Sequence, residues 1–116
     1  TTVSYEEYMR RWKANARGVD LNYNFAANWE GINVSLTHPS ANGYKGTNPL
    51  SEPESQAIAN LIQGTGFNAV INYHAMGNVI YWDTQNNQKA AESKALANAV
   101  HALNGYPFLE ARASAA

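Results

Sequence analysis

Three histidines and a short run of acid and amide side chains are the groups in this sequence that could carry chemistry. His74 closes the apolar stretch Phe67-Asn68-Ala69-Val70-Ile71-Asn72-Tyr73, whereas His38 and His101 stand singly in a Gly- and Pro-rich region and in an Ala-rich one. A neutral imidazole at the rim of a rigid strand can hold a metal and leave one coordination position open, although a histidine satisfied by ordinary hydrogen bonds is the competing reading. The chain has no cysteine, which excludes disulfides, thiolate metal sites and a cysteine nucleophile, so any metal must be held by imidazole and carboxylate. In Gly18-Val19-Asp20-Leu21-Asn22-Tyr23-Asn24-Phe25 the polar Asp20, Asn22 and Asn24 alternate with larger neighbours, a spacing that turns them to one side of an extended segment. Arg11, Lys13 and Arg17 lie just upstream, either as positive charge for a site or as solvated helix charges. Glu52 and Glu54 fall in a first helical turn, where negative charge suits the helix dipole and a structural role is the simpler one.

The elements that must position these groups follow from local signals. Ser4 and Glu7 have the spacing of a capping box and predict a helix over 5–15, closed by Gly18. Residues 19–25 read as a short strand or extended segment. Residues 26–50 carry Gly, Pro and Asn without a sustained period and read as a long surface loop. Ser51 and Glu54 make a second capping box with Pro53 in the first turn, predicting a helix to about residue 63 before Gly64 and Gly66. Residues 67–73 are apolar and rich in β-branched side chains, predicting a buried strand with His74 at its C-terminal end, where open α/β sheets place their sites. A strand over 79–82 follows, with Tyr81 and Trp82 either lining a ligand face or packing the core. A helix over 88–103 is closed by Asn104-Gly105, and 106–109 starts a further strand. This alternation of helices and apolar strands indicates an α/β class.

Bulk composition narrows the function classes. At 116 residues, 45% hydrophobic and 15% charged, the chain is in the range of one compact domain, 1–116. A formal net charge of -1 leaves no broad basic face, so nucleic acid and anionic membranes are poor partners and peptide-like ligands remain open. No apolar run approaches the ~20 residues of a membrane helix, and no secretory-type leader pattern opens the sequence. The first residue is not methionine, and 111–116 carry no stop signal; both ends read as cut from something longer.

Together with Trp12-Lys13, Tyr44-x-Gly46, Ser51-Glu52-Pro53-Glu54 and Asn72-Tyr73-His74-Ala75-Met76-Gly77-Asn78, the Gly18 to Phe25 series resembles the zinc metallocarboxypeptidase family. It is most similar to the bacterial branch that cleaves cell-wall peptides at γ-D-glutamyl bonds to diamino acids, and the likeness spans about residues 8–106. The resemblance implies that this chain is the central part of a mixed β-sheet flanked by helices, and incomplete. It implies His74 as the third zinc ligand, and Asp20 as the carboxylate that accepts a hydrogen bond from another zinc-bound histidine. It further implies Asn22 as an amide that helps hold the substrate carboxylate, and a basic group, an arginine in the family, that polarises the scissile carbonyl and stabilises the oxyanion; Arg11, Lys13 and Arg17 are the candidates here, with Lys13 after Trp12 the nearest match by local pattern.

Two departures stand out. The family's arginine after that asparagine, which grips the substrate carboxylate, is Tyr23 here; a phenol donates one hydrogen bond and no charge, a loss on the order of 2 kcal/mol. The family's first two zinc ligands come from a His-x-x-Glu motif upstream of Gly-Val-Asp, but only seventeen residues precede Gly18 and none is histidine. The positions three after His38, His74 and His101 are Ala41, Gly77 and Asn104. The family's glutamate base and mobile tyrosine fall beyond the last residue of this sequence.

The leading expectation is therefore a zinc-dependent peptidase that hydrolyses cell-wall-type peptides by metal-activated water, with this chain supplying part of the site. Zn2+ belongs to the intact family site. The expected partner is a peptide, such as a murein peptide, in a bacterial cytoplasmic or cell-envelope setting, with self-association through exposed sheet edges. The alternative is a catalytically inactive relative that binds peptide or glycopeptide, and a third reading has His38, His74 and His101 assemble a new metal site.

Overall fold

The helix ends follow the local signals, whereas the strands depend on partners. The structure, a computed structural model, describes residues 3–34, 36–75, 77–82 and 88–109; Met76 and the run 111–116 lie outside these. Among the described residues there are three α-helices, α1 (Tyr5–Arg11), α2 (Pro53–Thr65) and α3 (Ala90–Asn104), and two short strands, β1 (Ile80–Tyr81) and β2 (Phe108–Leu109). The chain divides into two units, Thr1–Ala69 and Val70–Ala116.

In the first unit, Ser4 caps α1 by accepting from the Glu7 N–H at 3.2 Å, and Glu6–Arg10 and Glu7–Arg11 pair along the exposed face. The helix ends at Arg11, not near residue 15. Trp12 is already extended, and the N–H groups of Lys13 and Ala14 both donate to the Ala41 carbonyl, at 2.8 and 3.0 Å. A helix that buries no residue gains little from a further turn, so these long-range bonds prevail. Ala14 pairs antiparallel with Asp20, and Leu36 parallel with Tyr44, each as a single bridge.

Residues 19–25 do not continue as a strand. The Asp20 side chain accepts from the Asn22 N–H and caps a 3-10 turn, Leu21–Tyr23, so a local side-chain bond displaces the extended backbone. Besides the Leu36–Tyr44 bridge, the described residues of loop 26–50 hold a second 3-10 turn, Trp29–Gly31. It is nevertheless pinned: Lys45 Nζ lies 4.1 Å from the Trp29 ring centroid and donates to the carbonyls of Trp29 and Ile32, both at 3.1 Å. Helix α2 begins with Pro53 at its first position and ends at Gly66 in the left-handed region. The Ser51–Glu54 capping box does not form, because Glu52 is the N-cap residue and the Ser51 hydroxyl bonds elsewhere.

The expected buried strand over 67–73 is not formed. These residues are neither helix nor strand and all are exposed, because a strand needs a neighbouring ladder and the described residues offer it none. In the second unit the strands expected over 79–82 and 106–109 shorten to two residues each and pair parallel, Ile80 with Phe108 and Tyr81 with Leu109. Helix α3 connects them, buries Ala97 and closes on the left-handed Gly105. Three helices and one parallel pair are consistent with part of an α/β fold; the described residues do not build the wider mixed sheet. No described helix is long and apolar enough to cross a membrane.

Candidate functional site

The turn that carries Asp20, Asn22 and Tyr23 is held from below by buried polar side chains. Asp20 is 4% exposed and Asn24 wholly buried. The Asp20 carboxylate accepts from the N–H groups of Asn22 at 3.3 Å and Gly43 at 2.9 Å, one on each oxygen. A carboxylate has about four acceptor sites, so this one keeps capacity for a further donor.

Asn24 is the hub. Its amide nitrogen lies within bonding distance of the carbonyls of Lys45 at 3.0 Å and Asn48 at 3.3 Å and of the Ser51 hydroxyl at 2.9 Å. Its amide oxygen accepts from the Glu52 N–H at 3.2 Å, and its backbone carbonyl from the Leu50 N–H at 2.7 Å. Gly46 makes room for it: at φ +87°, a Cβ there would sit 2.7 Å from the Asn24 amide nitrogen and 2.6 Å from Ser51 Oγ, a conformation and a space open only to glycine.

Glu52 completes the base at 1% exposure. It accepts from the Asn15 amide at 2.7 Å and the Ser51 hydroxyl at 2.9 Å, with Arg17 3.6 Å away. Burial raises its pKa, but these two hydrogen bonds and the Arg17 charge outweigh that and hold it below the ordinary value. Its role is structural, as the sequence suggests, but through burial and tertiary bonds more than the helix dipole. Glu54 is exposed.

Above this base the side chains are accessible. Asn22 is exposed and Tyr23 half-buried. Of the three upstream cations, Arg11 pairs with Glu7 at 2.6 Å and Arg17 with Glu52. Lys13 is exposed, has no ion pair among the described residues and is one position from the Ala14–Asp20 bridge. The structure thus brings Lys13, Asp20, Asn22 and Tyr23 into one unit.

In the second unit His74 is exposed and outside any helix or strand. His101 is satisfied structurally: its Nδ1 is 2.7 Å from the Tyr106 carbonyl and its ring 4.8 Å from that of Phe108. Tyr81 is 64% exposed and does not pack a core, while Trp82 is half-buried with Lys94 Nζ 5.5 Å from its ring centroid. Among the described residues no three His, Cys, Asp or Glu side chains gather where they could hold a metal.

The profile of the zinc carboxypeptidase family matches residues 2–108. The chain belongs to the zinc carboxypeptidase family. Among its relatives there, the γ-D-glutamyl-L-diamino acid endopeptidase 1 of Lysinibacillus sphaericus is 38% identical over 96 residues, 82% of this chain and 24% of that protein. Murein peptide amidase A of Escherichia coli K12 is 44% identical over 69 residues, 53% of this chain and 28% of the amidase. Human carboxypeptidase A5 is 39% identical over 66 residues, 56% of this chain and 15% of that protein. The chain thus spans about a quarter of the endopeptidase. No solved structure matches it.

The family is the one the motifs resemble. What sequence reading misses is the base of the site: alternation groups Asn24 with Asp20 and Asn22 as one polar side, yet Asn24 is buried and Asn22 exposed. The signal that points to it is Gly46, two residues beyond the loop's Tyr44 in the Tyr44-x-Gly46 motif, because a glycine there marks a close approach.

Proposed function

We propose that this zinc carboxypeptidase-family chain is part of a zinc-dependent peptidase domain acting on cell-wall-type peptides, with a γ-D-glutamyl-diamino acid linkage as the substrate class. The relatives' names supply that class. The observation that carries the reading is the turn Leu21–Tyr23, fixed from below by Asp20 and Asn24 while leaving the Asn22 amide accessible. A preorganised amide of this kind orients a peptide without reordering on binding.

Each residue then has a part. Asn22 donates to the peptide's carboxylate or carbonyl, and Tyr23 adds one neutral hydrogen bond where the family has a charged pair. Lys13 stabilises negative charge developing on the carbonyl oxygen. Asp20 uses its spare acceptor capacity to orient a donor behind the site, and His74 offers one imidazole to the metal. No other ligand comes from the described residues, so the reading assigns this chain binding and orientation.

Calorimetric titration with a γ-D-glutamyl-diamino acid peptide tests it. Asn22→Ala is expected to weaken binding. Tyr23→Arg, which restores a charge-assisted contact of about 2 kcal/mol, is expected to tighten it roughly 30-fold. Binding indifferent to both substitutions would overturn the assignment.

A further inference from the structure

Glu52 is bonded to both ends of the turn that carries Asn22, with a separate carboxylate oxygen for each end. Its Oε2 accepts from the Asn15 amide at 2.7 Å and lies 3.6 Å from Arg17 Nε. Asn15 holds the segment that enters the turn: its side-chain oxygen accepts from the Arg17 and Val19 N–H groups at 3.0 and 3.1 Å, and its own N–H donates to the Val19 carbonyl at 2.9 Å. The Glu52 Oε1 accepts from the Ser51 hydroxyl at 2.9 Å. That hydroxyl accepts from the Asn24 amide, also at 2.9 Å, where the chain leaves the turn. Glu52 is 1% exposed, so all these partners lie inside the first unit.

We propose that Glu52 is a positioning residue for the Asn22 turn, its carboxylate tying the entering segment to the leaving one so that its ionisation sets how firmly both are held. The chemistry of the partners requires it. The Asn15 amide nitrogen and the Arg17 guanidinium can only donate, so a proton on Oε2 finds no acceptor there. A proton on Oε1 must be accepted by the Ser51 hydroxyl, whose own hydrogen then loses its acceptor. Either placement also turns charge-assisted bonds into neutral ones of roughly half the strength. Of the charged groups around it, Arg17 favours the ionised form, whereas Glu54, 3.4 Å from the shared Asn15 amide nitrogen, opposes it. Burial also opposes ionisation, but the Asn15 and Ser51 bonds and the Arg17 charge outweigh it. The tie is therefore complete at neutral pH and released as pH falls through the folded pKa. On the reading that Asn22 meets the peptide, Glu52 orients that amide without touching the ligand.

An acid titration of the chain followed by NMR tests this. The Val19 backbone amide reports the entering segment and the Asn24 side-chain amide the leaving one. In the parent both signals are expected to shift together, with one midpoint below 4.5. In Glu52→Gln, which has the shape of the protonated acid, both shifts are expected to vanish. Asn15→Ala, which leaves Glu52 and Ser51 in place, is expected to remove the Val19 shift and keep that of Asn24, a split that decides the matter even if the glutamine variant does not fold. Separate midpoints in the parent, or shifts that persist in Glu52→Gln and so belong to Asp20, overturn the proposal. Calorimetric titration with a γ-D-glutamyl-diamino acid peptide at neutral pH is read separately. Weaker binding by Glu52→Gln than by the parent is expected, and equal binding overturns the positioning role. A parent that binds no peptide refutes the peptide reading instead and leaves the NMR result standing.

Discussion

Replacing Asn24 by alanine is the sharpest test of how the turn is held. The substitution removes the side-chain hydrogen bonds to Lys45, Asn48, Ser51 and Glu52, but their partners are not equally affected. The Lys45 carbonyl keeps the Trp29 indole N–H, the Asn48 carbonyl keeps the Ser51 N–H, and the Ser51 hydroxyl keeps Glu52. Only the Glu52 N–H, in a residue 1% exposed, is left without an acceptor. An orphaned buried donor costs about 1–3 kcal/mol, and taking one donor from an acceptor that keeps another costs less. The expected destabilisation is about 3 kcal/mol. Urea unfolding followed by Trp12 and Trp29 fluorescence measures it, with Asn22→Ala as the exposed control, expected within about 0.5 kcal/mol of the parent. A midpoint for Asn24→Ala equal to that of the control would refute the hub, showing that apolar contacts and backbone bonds suffice to hold the turn.

Two further outcomes are expected. Because the folded pKa of Glu52 is lowered from 4.5, its ionised form contributes stability that is fully present above that value and lost as pH falls through the folded pKa. The unfolding free energy against pH should therefore drop in that acid window, and Glu52→Gln should flatten the drop; an unchanged slope would count against it. Equilibrium dialysis with elemental analysis should find no tight zinc on this chain, since His74 has no companion ligands among the described residues. One tight zinc lost on His74→Ala would show instead that the chain completes a site alone.

Legibility divides by the range of the interactions involved. The Ser4 cap, the left-handed Gly66 and Gly105 and the two long helices are readable because each depends on side chains within one or two turns. The family motifs are readable for the same reason, as short strings. The strand expected over 67–73 fails because β structure requires a partner that composition does not specify. The Ser51–Glu54 box fails because Asn24, 27 residues away, engages the Ser51 hydroxyl. Segment 19–25 departs from a strand through one side chain, Asp20, which bends the backbone by capping its own turn. Of the site residues, position and exposure distinguish Asn22 from Asn24, which alternation alone treats as equivalent.

The first unit stabilises the turn with directional bonds more than with apolar burial. Its fully buried large side chains are Glu52, Asn24 and Ser55, while Val19 and Tyr44 are the buried apolar ones among the described residues. Hydrophobic contact is non-directional and tolerates small shifts; an amide with every donor and acceptor engaged fixes both position and orientation. The turn with the exposed Asn22 amide therefore gains a precision from Asn24 that a leucine could not give. Meanwhile Ile58, Leu61 and Ile62 of α2 are exposed. Apolar surface left in water adds nothing to stability. The geometry of the Asn22 turn and the overall stability of the chain thus rest on different groups, so covering the apolar surface should raise stability without reshaping the turn.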